Sequence, residues 1–340
     1  MPAQPSETAH VLVLGGTAWL GGEVARVALT AGHDVTCLAR GQSGTVPAGA
    51  TFIAVDRTQP EAYASLPANA RWDLVVDVSR QPGQVRSALQ ALANRADHWV
   101  FVSTGSVYAD HSRPGAGLET PLLPALQGDV ASPEQYGEGK VACEEACEAY
   151  RGDDVLLARS GLIAGSGDRS DRFGYWPGRF ALAVEDGGPV LVPKRRDRPT
   201  QFLDVHDLAH WIVGAGLAGT TGTVDAYGPR RVLGAVLDAA REVAGFRGEV
   251  VAVADDVLVA AGVEEYMGPH SLPLWMHDPA WAGFSDRSTE SAERTGLVAR
   301  DLRHTLADAL AWERQLGLTR TGRQAGLDRR SELEILAGAR

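Results

Sequence analysis

The chain has 340 residues, of which 44% are hydrophobic and 22% are charged. This composition is typical of a soluble globular protein, and the length suffices for one large domain with a lobe or for two domains. The 32 basic and 43 acidic residues give a net charge of −11, which disfavours binding to nucleic acid or to an anionic membrane surface. No apolar run is long enough to span a bilayer.

The first predicted unit is a strand, a glycine turn and a helix. It is preceded by residues 1–9, which carry no signal-peptide pattern; we expect a flexible tail and a cytoplasmic protein. Residues 11–14 are aliphatic and predict a buried parallel strand, and residues 22–30 predict a helix. Such a turn lets the backbone approach a pyrophosphate, whose charge is favoured at the helix start. The turn residues assigned to a dinucleotide cofactor are Gly15, Thr17, Ala18, Trp19, Leu20 and Gly21, with Ala18 in place of a middle glycine.

Five further strands are predicted, at residues 33–39, 51–56, 72–78, 98–103 and 154–159. Arg40 follows the second strand, where dinucleotide-binding folds place a carboxylate for the ribose of NAD or an arginine for the 2′-phosphate of NADP. With no carboxylate at that point, Arg40 favours NADP(H) over NAD. Asp56 ends the third strand, where it either bonds the adenine or caps a helix. Ser79 follows the fourth strand, at the sheet edge where ligands bind.

A hydroxyl-rich segment ends the fifth strand, and a Tyr-x-x-x-Lys pair follows it. Ser132 and Pro133 predict a helix start, so Tyr136 and Lys140 lie on one helix face. A phenol ionises near about pH 10, and an ammonium one turn away stabilises the phenolate. A Ser or Thr hydroxyl such as Thr104 then holds a substrate oxygen while Tyr136 exchanges a proton with it, and a nicotinamide cofactor carries the hydride.

The cysteine and histidine patterns predict no metal site. Cys143 and Cys147 lie four residues apart without further thiol or imidazole partners nearby, so packing is the expected role. His206 and His210 have the same spacing but no third ligand in view.

These motifs resemble the short-chain dehydrogenase/reductase superfamily, specifically its extended or atypical branch, the NAD-dependent epimerase/dehydratase family. The resemblance covers roughly residues 10–315 and rests on segments 14–21, 102–108, 136–140, 159–163 and 202–207. It implies that Tyr136 is the acid/base, that Lys140 assists it and bonds the nicotinamide ribose, and that Thr104 orients the substrate oxygen. The further residues that it places near the cofactor are Ser103, Ser160 and Leu162.

The implied fold is α/β, a Rossmann-type doubly wound parallel sheet with a smaller C-terminal substrate lobe. We expect the NAD(P)-binding domain at residues 10–165 plus about 200–250, and the substrate lobe at about 166–199 plus 251–340. Core packing is the alternative role for the aromatic candidates, and Ser106 is a weak acid where some relatives have a stronger one. The substrate-binding candidates are Ser106, Arg172, Tyr175, Trp176 and Gln201.

The resemblance also implies a possible homodimer through the helix that carries Tyr136 and Lys140. Small residues on that helix fit close packing, namely Ala142, Cys143, Ala146 and Ala149.

Three functions fit the sequence. The first is an NADP(H)-dependent reductase or dehydrogenase of a carbonyl or imine in a small-molecule metabolite. The second is a nucleotide-sugar epimerase that retains NAD. The third is a non-catalytic NADP-binding regulatory protein, against which the intact Tyr136 and Lys140 pair argues.

Overall fold

A parallel seven-stranded sheet organises the larger lobe of this computed structural model, which describes residues 8–338. The predicted tail lies largely outside the described residues. The strands of the sheet are β1 (His10–Leu14), β2 (Asp34–Ala39), β3 (Thr51–Ala54), β4 (Trp72–Asp77), β5 (Ala96–Thr104), β6 (Leu156–Ser160) and β11 (Gly222–Ala226). Their order is β11-β6-β5-β4-β1-β2-β3. The chain runs outward from β1 in both directions, so the direction of winding changes between β1 and β4, where ligands bind in such sheets.

Helices cover both faces of this sheet, which confirms the predicted doubly wound fold. They are α1 (Trp19–Thr30), α2 (Pro82–Leu92), α3 (Tyr136–Arg151) and α5 (Val205–Leu217). Alternate residues of β1 point to opposite faces: Val11 and Val13 pack with α1 and α5, whereas Leu12 and Leu14 pack with α2 and α3. Burial on both faces explains why the strands are almost wholly aliphatic.

A second hydrophobic core lies in a smaller lobe built from helices and short strand pairs. Its larger helices are α4 (Tyr175–Asp186), α6 (Leu233–Ala244), α9 (Leu302–Leu316) and α10 (Arg329–Gly338), and a shorter one is α7 (Asp255–Ala260). Helix α8 (Glu290–Arg294) packs against the large sheet instead. The short strands are β7 (Ile163–Ala164), β8 (Val190–Pro193), β9 (Pro199–Thr200), β10 (Leu203–Asp204), β12 (Arg231–Val232), β13 (Val250–Val253), β14 (Glu264–Glu265) and β15 (Ser271–Leu272). Strands β8 and β13 pair in parallel.

The division of the chain between the two cores differs from the expected one at two places. Helix α6 was expected in the cofactor domain, but its apolar face, including Leu233 and Leu237, packs in the second core with α4 and α9. The segment around α8 was expected in the substrate lobe, yet Ala292 and Leu297 pack into the core of the large sheet. The order of elements was predictable, but the face against which each helix packs was not.

Among residues 8–338, none of the helices has the length and apolar character needed to span a bilayer.

Candidate functional site

A cleft of about 450 Å³ opens at the carboxyl ends of β1, β2 and β4. Six of the residues assigned to the cofactor or the chemistry line it: Gly15, Thr17, Ala18, Arg40, Ser79 and Tyr136. Residues from the loop before α3 close one side, including Ala131 and Pro133. Segments distant along the chain therefore meet at the edge of the sheet where α/β proteins bind their ligands.

The glycine turn at the cleft requires glycine at two of its positions. Gly15 has a φ of +99°, which L side chains rarely adopt. A Cβ on Gly21 would lie 2.3 Å from the carbonyl oxygen of Gly15, so only glycine lets α1 approach β1 this closely. Ala18 is the N-cap of α1 and has no side-chain acceptor for the first-turn amides, which leaves these donors available to an anion.

Trp19 and Leu20 place their side chains outside the cleft lining. The indole nitrogen of Trp19 donates to the carbonyl oxygen of Ser166 at 2.8 Å, which links the start of α1 to the loop after β7. Leu20 is buried in the core of the sheet. Only the backbone of these two residues remains suitable for contacts with a cofactor phosphate.

Arg40 and Arg80 place two cations on the walls of the cleft. Both are exposed, and neither pairs with a carboxylate in the part of the chain that the structure describes. The Arg80 guanidinium lies 5.1 Å from the centre of the Tyr136 ring. Ser43 and Gln42 follow Arg40 and line the same cleft, so the end of β2 offers a charge and hydroxyl and amide donors to an anionic group.

Asp56 serves a local turn. Its Oδ1 accepts hydrogen bonds from the backbone nitrogen of Thr58 at 3.0 Å and from the Thr58 hydroxyl at 2.9 Å. These bonds hold the pKa of Asp56 below its ordinary value, with help from the charge of Arg40. No helix lies between β3 and β4 in the described residues, so Asp56 caps a turn and not a helix, and its contact with an adenine stays a prediction.

An ion pair that the sequence reasoning missed forms the cleft floor. Arg57 lines the cleft, and its two terminal nitrogens lie 3.3 Å from the two carboxylate oxygens of the fully buried Asp77. Asp77 also accepts hydrogen bonds from the backbone nitrogen and the hydroxyl of Ser79. The available signal was Asp77 itself, because a carboxylate in an otherwise apolar strand needs a buried partner.

Tyr136 and Lys140 lie on the first turns of α3. The helix begins at Tyr136 and not near Ser132, because the Ser132 hydroxyl donates to Glu134 at 2.7 Å and caps no helix. Lys140 is only 2% exposed. Its Nζ donates to the carbonyl oxygens of Ser79 at 2.8 Å and of Val102 at 2.5 Å. A third N–H remains for a ligand at the strand ends.

The remaining predicted hydroxyls lie at the neighbouring ends of β5 and β6, and they are not among the residues that line the cleft. Thr104 is the last residue of β5 and is in register with Ser160 on β6. Its Oγ1 accepts from the Ser106 nitrogen at 3.2 Å and lies 3.3 Å from the Ser106 hydroxyl. Ser103 and Ser160 are buried, as is Leu162, which packs in the second core. Thr104 is two residues beyond the carbonyl group that Lys140 holds.

Three of the substrate-binding candidates are core residues, which corrects the expectation from the sequence. Tyr175 and Trp176 are 1% and 0% exposed, and the Trp176 indole donates to the carbonyl oxygen of Pro273 at 2.7 Å. Gln201 is 2% exposed, and its amide bonds the backbone of Gly228 and Arg287.

Arg172 and Ser106 are partly exposed and remain candidates for substrate contacts. The Nε of Arg172 donates to the Ser170 hydroxyl at 3.0 Å, and its guanidinium lies 5.3 Å from the centre of the Tyr266 ring.

The small residues on α3 fill space inside the chain. Ala142, Cys143 and Ala146 are buried in the described structure, and Ala149 alone of the four is exposed. Most of the small residues that predicted a dimer contact are therefore buried within the monomer. Among residues 8–338, no group of three or more His, Cys, Asp or Glu side chains is arranged to hold a metal ion.

Comparison with known proteins identifies relatives in sequence and in structure. The chain is 33% identical over 162 residues to 2'-dehydrokanamycin reductase from Streptomyces kanamyceticus, covering 46% of this chain and 44% of the relative. It is 24% identical over 221 residues to chloroplast stem-loop binding protein of 41 kDa b from Arabidopsis thaliana, covering 60% and 54% of the two chains. The chain thus spans about half the length of the curated relatives that it matches.

Solved structures share the fold at low sequence identity. WbmH from Bordetella bronchiseptica, solved in complex with NAD+, matches with a TM-score of 0.63 and 19% identity over 91% of this chain and 100% of that one. UDP-N-acetylglucosamine 4-epimerase from Bacillus cereus matches with a TM-score of 0.63 and 17% identity over 90% and 100%.

The sequence profile of the NAD dependent epimerase/dehydratase family matches residues 11–224. This range contains the glycine turn, the cleft floor and the Tyr136–Lys140 helix. The chain therefore belongs to the NAD dependent epimerase/dehydratase family, an extended branch of the short-chain dehydrogenases/reductases.

Proposed function

We propose that the protein is an NADP(H)-dependent reductase or dehydrogenase that acts on a carbonyl, or an imine, of a small-molecule metabolite. The observation that carries this proposal is the single cleft in which the glycine turn, Arg40, Ser79 and Tyr136 meet. The family and the reductase relative support oxidoreductase chemistry.

The cleft fits a dinucleotide on the evidence of its own residues. Gly15 and Gly21 let the turn pack closely against Val78 and the start of α1, and the first amides of that helix have no side-chain cap and can bind a phosphate. Arg40 and Arg80 lie on the walls of this cleft and form no salt bridge with a carboxylate of residues 8–338, in a chain whose net charge is −11. The 2′-phosphate on the adenosine ribose distinguishes NADP from NAD, and the placement of Arg40 at the end of β2 supports NADP(H).

Hydride transfer would be the chemistry that a nicotinamide cofactor contributes when it is bound in this cleft. Tyr136 gives a proton to the substrate oxygen during reduction and takes it back in the reverse direction. Thr104 donates a hydrogen bond to the same oxygen, which fixes its position relative to Tyr136. Lys140, anchored by two carbonyl groups, places a positive charge one turn from the phenol and stabilises the phenolate.

The Streptomyces relative suggests where to begin the search for a substrate. Its name describes reduction of a dehydrogenated kanamycin. We extend to this chain only the general class, a ketone on a polyhydroxylated or amino-substituted ring. Arg172 and Ser106, which are both partly exposed, are the proposed contacts.

A nucleotide-sugar epimerase is the second candidate, favoured by the structural resemblance to UDP-sugar epimerases. Such an enzyme retains NAD through its cycle. Purified protein that carries bound NAD and converts a UDP-sugar without added cofactor supports this candidate over the reductase.

The test is a screen of ketones, with the absorbance of NADPH as the readout. We expect oxidation of NADPH with at least one ring ketone. In the Tyr136→Phe variant we expect turnover to fall by about 100-fold or more, since it lacks the proton donor, while NADPH binding is retained. Turnover that survives this substitution contradicts the assigned chemistry.

A further inference from the structure

Five buried side chains form a continuous network of hydrogen bonds and ion pairs behind the candidate site. The guanidinium of Arg159 donates to the carboxylate of Glu144 at 2.7 and 3.0 Å and to the Tyr108 hydroxyl at 3.2 Å. The Tyr108 hydroxyl donates to Asp225 at 2.6 Å, and Arg287 reaches the other oxygen of Asp225 at 3.3 Å. The Arg287 guanidinium also lies 3.6 Å from the centre of the Tyr108 ring.

The positive and negative charges in this network of five side chains balance. Glu144 and Asp225 supply two negative charges, Arg159 and Arg287 supply two positive ones, and all four are buried. Arg159 and Asp225 are register partners on the adjacent strands β6 and β11. Burial raises the pKa of Tyr108, so its hydroxyl keeps its proton and works as a hydrogen-bond donor. Removing one member of such a network leaves an unpaired buried charge.

Two members of this network, Glu144 and Tyr108, connect it to different parts of the site. Glu144 lies on α3, one turn after Lys140 and two turns after Tyr136. Tyr108 ends the turn Gly105–Val107, which directly follows Thr104. The proton-transfer helix and the hydroxyl-bearing turn are therefore joined through Arg159.

The third attachment is to the C-terminal segment. Arg287 is 1% exposed and donates to the carbonyl oxygen of Gly117 at 2.8 Å, in the long loop after β5. Its backbone nitrogen donates to the buried Gln201 at 2.7 Å. Arg287 thus docks the segment before α8 against both the sheet edge and the loop.

We propose that the five residues of this network are positioning residues, which hold Thr104 and Tyr136 in one geometry. That geometry then depends on docking of the C-terminal segment. The five are Glu144, Arg159, Tyr108, Asp225 and Arg287. The catalytic roles of Thr104 and Tyr136 rest on the proposed function, whereas the mechanical link between these segments does not. A positional error of about 1 Å between such groups costs about 100-fold in rate. A network that fixes the distance between Thr104 and Tyr136 would therefore raise the catalytic rate.

Hydrogen–deuterium exchange of the full chain tests the link without any substrate. We compare the Arg287→Met variant with Arg294→Met, a control in the same region whose arginine forms only an exposed pair with Glu290. Arg287→Met is expected to increase deuterium uptake in residues 104–108 and 136–147, although Arg287 has no ion pair or hydrogen bond with α3. The control is expected to leave both segments unchanged.

Increased uptake that is confined to residues 104–108, 117–120 and 285–291, the segments around the direct contacts of Arg287, and is absent from residues 136–147 overturns the proposal. Should Arg287→Met fail to fold, Tyr108→Phe removes a single oxygen atom and carries the same expectation for residues 136–147. Unchanged uptake there in a folded Tyr108→Phe variant also overturns it.

Kinetics separate positioning from plain stabilisation. In the folded Tyr108→Phe protein we expect kcat for the ketone found by the screen to fall by about tenfold or more, with the KM for NADPH within about twofold of the unaltered protein. A lower Tm with unchanged kcat means that the network of five side chains only stabilises the fold. If no ketone is turned over at all, the proposed function fails, but the exchange experiment still decides the structural link.

Discussion

The ammonium of Lys140 donates a 2.8 Å hydrogen bond to the backbone carbonyl oxygen of Ser79. The same ammonium reaches the carbonyl oxygen of Val102 on the neighbouring strand, and it lies 4.1 Å from the centre of the Phe101 ring. Ser79 is fixed in turn by Asp77 and Arg57. The lysine of the Tyr-x-x-x-Lys pair is therefore connected to the cleft floor as well as to the helix that bears Tyr136.

Replacing Lys140 by methionine tests this double role. The chain has two lysines, and the exposed Lys194 provides a matched control. Lys140→Met leaves two buried carbonyl oxygens without their donor, at a cost of about 1–3 kcal/mol each. We expect the free energy of unfolding in urea to fall by about that amount or more, together with loss of turnover. Lys194→Met is expected to change the free energy of unfolding by less than about 0.5 kcal/mol.

Replacing Gly21 by alanine tests the close approach of α1 to the glycine turn. The added Cβ would lie 2.3 Å from the Gly15 oxygen and 3.3 Å from the Gly16 Cα, so the turn must shift. We expect the affinity for NADPH, measured by fluorescence titration, to fall by about tenfold or more. Gly214→Ala on α5 is the control, because nothing lies within 4 Å of its Cβ position. Equal affinity in both variants would show that the turn does not hold the cofactor.

His98 is expected to make the stability depend on pH. It is buried in β5, and burial lowers its pKa from the ordinary value. The unfolded chain therefore binds a proton at about pH 6.5, where the folded chain does not, so stability is full above that pH and is lost as the pH falls further. Urea unfolding between about pH 7.5 and 5.5 measures the slope. We expect a shallower slope in His98→Gln and no change in the exposed control His304→Gln.

The three cysteines are expected to be unreactive in the folded protein. Burial raises the pKa of Cys37 to about 11 and that of Cys143 to about 12, and it raises the pKa of Cys147 well above the ordinary value. Because the thiolate is the reactive form, titration with a thiol-specific disulfide reagent should label none of them until the protein is unfolded. Rapid labelling of the native protein would place a thiol at the surface and contradict the packing of β2 for Cys37, or of α3 for Cys143 and Cys147.

The parallel sheet and the course of the glycine turn were predictable because they depend on local sequence. Aliphatic runs bounded by glycine or polar residues specify strands, and Gly15 and Gly21 meet backbone requirements within one short segment. The Tyr136–Lys140 spacing is likewise local. Family membership at residues 11–224 confirms the resemblance stated from these motifs.

The cleft floor and the second core could not be predicted, because they depend on contacts between segments that are distant in the sequence. Arg57 and Asp77 are 20 residues apart and meet only because β3 and β4 end at the same sheet edge. Tyr175 and Trp176 were assigned to the substrate because large aromatics suit a pocket, but α4 turns both into the second core. Nothing in their own sequence distinguishes a pocket wall from a core, since the partner elements lie far along the chain.

Titration of the purified protein with NADPH and with NADH tests the central claim most directly. The account predicts that NADPH binds about tenfold more tightly or better, because Arg40 and Ser43 line the cleft at the end of β2 and no carboxylate directly follows that strand in the sequence. In Arg40→Ala this preference should largely disappear while NADH binding stays the same. Tighter binding of NADH than of NADPH by the unaltered protein would contradict the account.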